Sequence, residues 1–306
     1  MPIIEMDYIW LNGRLVPWKD AKIHVLTHAL HYGSGVFEGI RCYDTSEGPA
    51  VFRLDDHLKR LWNSAAAFFM KIPYTIGELH EAVVSLIRAN KLHECYIRPI
   101  AYFGYSEMGL NPTGNPVEVA IAAWPWGAYL GDKAMSKGAR AKISSYRRIP
   151  PFSLPPGAKS TGQYLNSILA KLEALRNGCD EAIMLDSRGF VAEGPGENIF
   201  IVKDGVLYTP SAKAGILLGI TRDSVIKMAN DLGYHVREDD VTVDMLLAAD
   251  EAFFTGTATE VAPICEVDGK RVGKGIPGSI TVTIQKLYKD VTKGLKKEYD
   301  HWLTHI

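Results

Sequence analysis

The order in which hydrophobic periodicity switches between two residues and 3.6 residues limits what the first part of this 306-residue chain can fold into. DYIWLNGRLVPW places Asn12-Gly13 between two apolar-aromatic runs, which predicts a hairpin closed by a type I′ turn. GVFEGIRCYD and GPAVFRL read as further strands. DDHLKRLWNSAAAFFM then carries Leu58, Leu61, Trp62 and Ala65 on one helical face behind an aspartate cap, and IGELHEAVVSLIRANKL repeats that pattern. CYIRPIAYFGY and PVEVAIAAWPW return to strand. A β-β-β-α-α-β-β order predicts an α+β layer with an antiparallel sheet, since parallel strands would need a crossover between each pair.

Residues 127–138, GAYLGDKAMSKG, are rich in glycine and polar groups and are expected to link a small N-terminal domain (1–126) to a larger one (139–306). The second part opens with a strand, ARAKISSYRR. A helix with Leu165, Ile168, Leu169, Leu172 and Leu175 on one face follows, stopped by Asn177-Gly178. EAIMLDSRGFVAEG and NIFIVKDGVLYTP each read as strand, turn and strand. A helix is expected from Thr221, strand again through EAFFTGTATEVAPICEVDG, and an amphipathic helix from Ser279.

With 34 basic and 35 acidic residues, no charge imbalance points to nucleic acid or an anionic membrane surface. No apolar run approaches the roughly 20 residues that span a bilayer, and MPIIEMDYIW has no basic n-region of a secretory signal. Cys42, Cys95, Cys179 and Cys265 are scattered without C-x-x-C spacing, which favours free thiols, no zinc site and a cytoplasmic location.

Chemistry is suggested by PPGAKSTGQYLN, where Lys159 stands among small and turn-forming residues with no acidic neighbour in sequence. GITRD (219–223) puts a glycine and Thr221 at an expected helix start, which suits a phosphate or a plain threonine cap. FFTGTATE (253–260) interrupts a strand with small hydroxylated residues and reads either as a donor loop or as a bulge. EGPGEN (193–198) sets Glu193 and Glu197 around a turn that is otherwise an ordinary hairpin connection. Together these are an amine, two anion cradles and a carboxylate, the parts that a pyridoxal 5′-phosphate (PLP) site requires. A phosphate-binding protein without catalysis, with Lys159 as a counter-ion, uses the same parts.

HALHYGSGVFEGIRCY, YIRP, WPWGAYLG, AKSTGQYLNS, EGPGENIF, GITRD and FFTGTATEV, in that order, resemble the motif series of the class IV (fold type IV) PLP-dependent aminotransferases, and within them the bacterial-type branched-chain enzymes. The resemblance runs from Asp7 to Gly273. It implies a small α/β domain with an antiparallel sheet and a larger pseudo-barrel domain. It implies amino transfer between Leu, Ile or Val and 2-oxoglutarate. D-amino acid aminotransferases, R-selective amine transaminases and aminodeoxychorismate lyases share the lysine and glutamate and are the alternatives.

By the same resemblance, Lys159 carries PLP on its side-chain nitrogen, Glu193 bonds the pyridine nitrogen and Tyr164 the phenolic oxygen. Arg60, Ile220, Thr221 and Thr257 hold the phosphate. Thr257 and Ala258, with Tyr96, receive the substrate α-carboxylate. Tyr32, Phe37, Gly39, Trp126 and Tyr129 form the side-chain pocket, and Arg98 accepts the distal carboxylate of glutamate. Met108 and Leu110 fall where this family sends a loop into its partner's site, which implies a homodimer or a larger homo-oligomer such as a hexamer. The segment RRIPPFSLPPG before the lysine departs from what these motifs explain, and leaves the breadth of substrate open.

Overall fold

The computed structural model describes residues 3–127 and 129–306, and within them two compact units. The first comprises Met1–Trp126, Ala158–Gln163 and Val291–Ile306; the second comprises Gly127–Gly157 and Tyr164–Asp290.

The first unit contains β1 (Tyr8–Leu11), β2 (Arg14–Pro17), α1 (His28–Tyr32), β3 (Gly35–Phe37), β4 (Ile40–Thr45), β5 (Gly48–Phe52), α2 (Leu54–Ala66), α3 (Ile76–Ala89), β6 (Cys95–Phe103) and β7 (Val117–Trp124). Asn12 and Gly13 adopt φ of 47° and 92° between β1 and β2, the left-handed pair that the expected turn requires. All pairings in this sheet are antiparallel, as expected. Leu58 and Leu61 of α2, with Leu79, Val83, Leu86 and Ile87 of α3, pack on Ile40, Val51, Ile97, Val119 and Ile121 of the sheet. Each such buried side chain contributes about 1.5–3 kcal/mol.

The aspartate cap expected for α2 is absent. Its N-cap is Arg53, at φ 51°, and Asp56 in the first turn accepts a hydrogen bond from Arg53 Nε instead. An arginine in the left-handed region is unforeseeable from cap preferences, and the backbone there is held by Arg53 N–H donating to Trp302 O. For α3 the cap is a Thr75–Glu78 capping box.

The second unit contains α4 (Gly131–Lys137), β8 (Ala139–Ile143), α5 (Tyr164–Arg176), β9 (Glu181–Leu185), β10 (Val191–Glu193), β11 (Asn198–Lys203), β12 (Val206–Pro210), α6 (Ile220–Asp231), β13 (Val236–Asp239), α7 (Val243–Leu247), β14 (Glu251–Gly256), β15 (Glu260–Val267), β16 (Lys270–Arg271) and all but the last two residues of α8 (Ser279–Thr292). Its strands run β10-β9-β8-β15-β14-β11-β12-β13, and a further β10–β11 pairing closes six of them into a barrel-like ring. β8 pairs in parallel with both β9 and β15.

Three further expectations are revised. Residues 131–137 of the expected linker form α4. The leucine face of α5 is not its core face: Leu165, Ile168, Leu169, Leu172 and Leu175 are exposed, while Ser167, Ala170 and Ala174 are buried. Small residues let a helix lie close to a strand, and Ala170 and Ala174 cluster with Ala182 and Met184 of β9. Residues 139–306 are also not one continuous unit. A last strand, β17 (Leu303–His305), pairs with β5, and the lysine segment joins the first unit through a Val36–Ser160 bridge.

Candidate active site

In the first unit the backbone of Lys159 is clamped on both sides. Its N–H donates to Ser64 Oγ of α2 at 3.0 Å, and its carbonyl accepts from Phe37 N–H of β3 at 3.0 Å. The side chain is half-buried, with Nζ 4.9 Å from the centroid of the Phe37 ring. Arg98 Cζ lies 4.8 Å from the same centroid and 5.4 Å from that of Tyr96. Tyr96 in turn packs edge-on against Trp126, their centroids 4.6 Å apart. A Cβ at Gly39 would stand 1.9 Å from the Tyr96 hydroxyl, so only glycine fits there. Lys159, Phe37, Gly39, Tyr96, Arg98 and Trp126 are thus gathered into one cluster, with apolar ring faces and two cations. Arg98 Nε is buried and has no hydrogen-bond partner among the described residues. A buried guanidinium N–H left unsatisfied is costly, and is what a carboxylate ligand would repair.

Arg60 of α2 is held by a residue that the motif reading passed over. Its Nε and Nη2 donate to Glu38 Oε1 and Oε2 at 2.7 and 2.8 Å, and His57 Nδ1 meets Glu38 Oε2 at 2.8 Å. Burial alone would raise the Glu38 carboxyl, but the Arg60 charge and hydrogen bonds, with His57, hold it far below the carboxylate range. Burial pushes His57 down, against the pull of Glu38, so the ring is neutral and Nδ1 is the donor. The pair is therefore arginine and carboxylate, with histidine as a neutral third member. His57-x-x-Arg60 is a one-face helical spacing that could have signalled this.

Tyr32, Met108 and Leu110 have exposed side chains. They are joined through His28, whose ring packs on Tyr32 (centroids 4.6 Å) and whose Nε2 meets Gly109 O at 2.7 Å.

In the second unit Glu193 ends β10 opposite Asn198, the first residue of β11. Its carboxylate receives Asn198 Nδ2 at 3.0 Å and Leu217 N–H at 3.2 Å, and Arg148 Nε lies 2.9 Å from Oε1. The Arg148 contact is an ion pair whose N–H is out of line for a hydrogen bond. Arg148 belongs to the proline-rich segment that the motif series left unexplained. Ile220 and Thr221, both buried, open α6, whose N-cap Gly219 offers no side-chain acceptor to the first N–H groups. Thr257 and Ala258 form the turn between β14 and β15. Thr259 in that turn donates to Glu197 Oε1 at 3.2 Å. Tyr164 is the half-buried first residue of α5, and Tyr129 lies under Lys171 Nζ at 5.2 Å. Glu193 between two hydrogen-bond donors and a guanidinium charge, and a helix start whose N-cap is glycine, fit a protonated ring nitrogen and a phosphate.

Residues 35–267 match the family described as Amino-transferase class IV. The chain belongs to the class IV aminotransferases. Among curated relatives of this aminotransferase is the branched-chain-amino-acid aminotransferase of Pseudomonas aeruginosa (strain PAO1), 50% identical over 298 residues, covering 97% of each chain. Among solved structures, the T.th. branched-chain amino acid aminotransferase with pyridoxamine 5′-phosphate superposes at a TM-score of 0.96, with 50% identity and 99% of each chain covered. The same enzyme complexed with N-(5′-phosphopyridoxyl)-L-glutamate gives 0.95, with 48% identity and again 99% of each chain.

Proposed function

We propose that this class IV aminotransferase uses PLP to move the amino group between branched-chain L-amino acids and 2-oxoglutarate. The observation that carries this reading is the Lys159 amine beside a ring cluster that also contains an orphaned Arg98 N–H. An apolar wall suits an aliphatic side chain, and an unsatisfied guanidinium suits the distal carboxylate of glutamate, the two side chains that one transaminase pocket must admit in turn.

PLP, when bound, supplies an aldehyde that takes the amino group and a ring that draws electrons from the substrate Cα. Lys159 holds it and, once displaced, carries the proton from Cα at its Nζ. Glu193 keeps the ring nitrogen protonated, and Tyr164 bonds the phenolic oxygen. Arg60, the α6 start at Ile220 and Thr221, and Thr257 bind phosphate. Phe37, Gly39, Tyr96, Trp126, Tyr129 and Tyr32 shape the side-chain pocket. Thr257 and Ala258 receive the α-carboxylate, and Met108 and Leu110 serve the site of a second copy. The exposed leucine face of α5 supports assembly into a homodimer or larger homo-oligomer. Four free cysteines support a cytoplasmic location.

The test is incubation with L-leucine, D-alanine and (R)-1-phenylethylamine separately, each with 2-oxoglutarate. Glutamate is expected from L-leucine. Glutamate only from the other two overturns the assignment. Borohydride reduction of the holoprotein should leave the cofactor on Lys159, and Lys159→Ala should abolish turnover.

A further inference from the structure

Glu38 lies between two residues of the proposed substrate pocket, Phe37 and Gly39, yet its side chain serves neither. It is fully buried, and its two oxygens take Nε and Nη2 of Arg60 side-on, with His57 Nδ1 as a third donor. A side-on pair uses one edge of the guanidinium and fixes its plane, which a single contact would not do. The backbone that carries Glu38 is fixed as well: Glu38 N–H donates to Pro99 O at 2.9 Å, and Phe37 N–H to Lys159 O at 3.0 Å. One short stretch therefore ties the backbone of the lysine to the orientation of Arg60.

We propose that Glu38 is a positioning residue that aims Arg60 at the cofactor phosphate, so that discrimination for the phosphorylated cofactor depends on it. The inference rests on Arg60 being the phosphate arginine. Two effects of the carboxylate oppose one another. It lowers the net positive charge available to a phosphate, and it holds the guanidinium in one orientation. Orientation dominates here, because Glu38 is part of the buried frame while Arg60, at 14% exposure, sits nearer the open side. In Glu38→Gln the amide retains one acceptor and sets an N–H₂ against an arginine donor, so the guanidinium must turn away.

The experiment titrates the full-length protein, freed of cofactor by dialysis against an amine, with PLP and with pyridoxal, which lacks the phosphate. The readout is the ratio of the two affinities in wild type, Glu38→Gln and Arg60→Met. Damage to the fold or to the lysine lowers both affinities, whereas a lost aim lowers only that for PLP. Glu38→Gln should reduce the ratio about tenfold or more, the scale on which loss of an outer partner weakens metal sites. If Arg60→Met reduces the ratio and Glu38→Gln leaves it unchanged or raises it, the positioning role is wrong while the phosphate reading stands. If Arg60→Met leaves the ratio intact, both fall. Should Glu38→Gln not fold, Glu38→Asp keeps the charge and shortens the reach. A reduced ratio then supports positioning, and an unchanged one overturns it.

Discussion

Arg148 and Glu193 form a buried ion pair, Nε to Oε1 at 2.9 Å, with side chains only 8% and 7% exposed. Arg148 is thereby a brace for the carboxylate proposed to meet the pyridine nitrogen. Its Nη2 also donates to Gly215 O at 3.4 Å, so the pair is tied to the loop before α6.

Removing one member of such a pair strands the other charge. Arg148→Met should destabilise the protein by about 3–5 kcal/mol. The double variant Arg148→Met with Glu193→Gln should recover part of that loss, because no buried charge is then left alone. Urea unfolding of the four proteins in the cycle measures the coupling, and additive losses would contradict it.

Gly219 caps α6 at φ −69°, an ordinary conformation for any residue, so backbone strain is not what demands glycine there. Space is: a Cβ would stand 2.1 Å from Asn198 Oδ1, and Asn198 is held by Glu193 and by Leu217 O. Gly219→Ala should cost about 1–3 kcal/mol through this overlap, added to the roughly 1 kcal/mol by which an N-cap prefers glycine to alanine. It should also weaken PLP binding, read by absorbance titration.

The hairpin turn was legible, and the proposed amine and proposed ring-nitrogen carboxylate stood out, because each is written locally. Lys159 stands alone among small residues, Glu193 sits in EGPGEN, and Asn12-Gly13 separates two apolar runs. The braces were not. Glu38, His57 and Arg148 act through contacts 19 to 45 residues away in sequence, and each looks like an ordinary surface residue until burial is known. The α5 leucines misled for the converse reason: periodicity identifies an apolar face but not what covers it.

Glu181 is fully buried. Burial, then the adjacent Glu197, push its carboxyl well up, against the opposing pull of Lys171. A raised carboxyl gives stability that is complete below the unfolded value of about 4.3 and is lost as pH rises toward the folded one. Glu181→Gln mimics the protonated form and should remove this slope. Denaturation midpoints at pH 5 and pH 8 should favour the variant increasingly at the higher pH; parallel curves would show that the Glu181 carboxyl is not raised.

Arg98→Met should separate the two substrates. A lost charged hydrogen bond is worth about 1.5–3 kcal/mol, so KM for 2-oxoglutarate should rise about 10- to 100-fold. KM for L-leucine, which offers nothing to the guanidinium, should change far less. Equal rises for both would mean that Arg98 only supports Phe37 and Tyr96.

The six-residue piece Ala158–Gln163 belongs to the first unit, while the chain on either side of it belongs to the second. No single cut can release either body whole, and a fragment ending at Trp126 would lack Lys159, the proposed cofactor lysine, altogether. Gene recombination at that boundary would mate a foreign lysine strap with a native Phe37 and Ser64. Natural exchange between relatives is therefore expected to move both pieces together or neither.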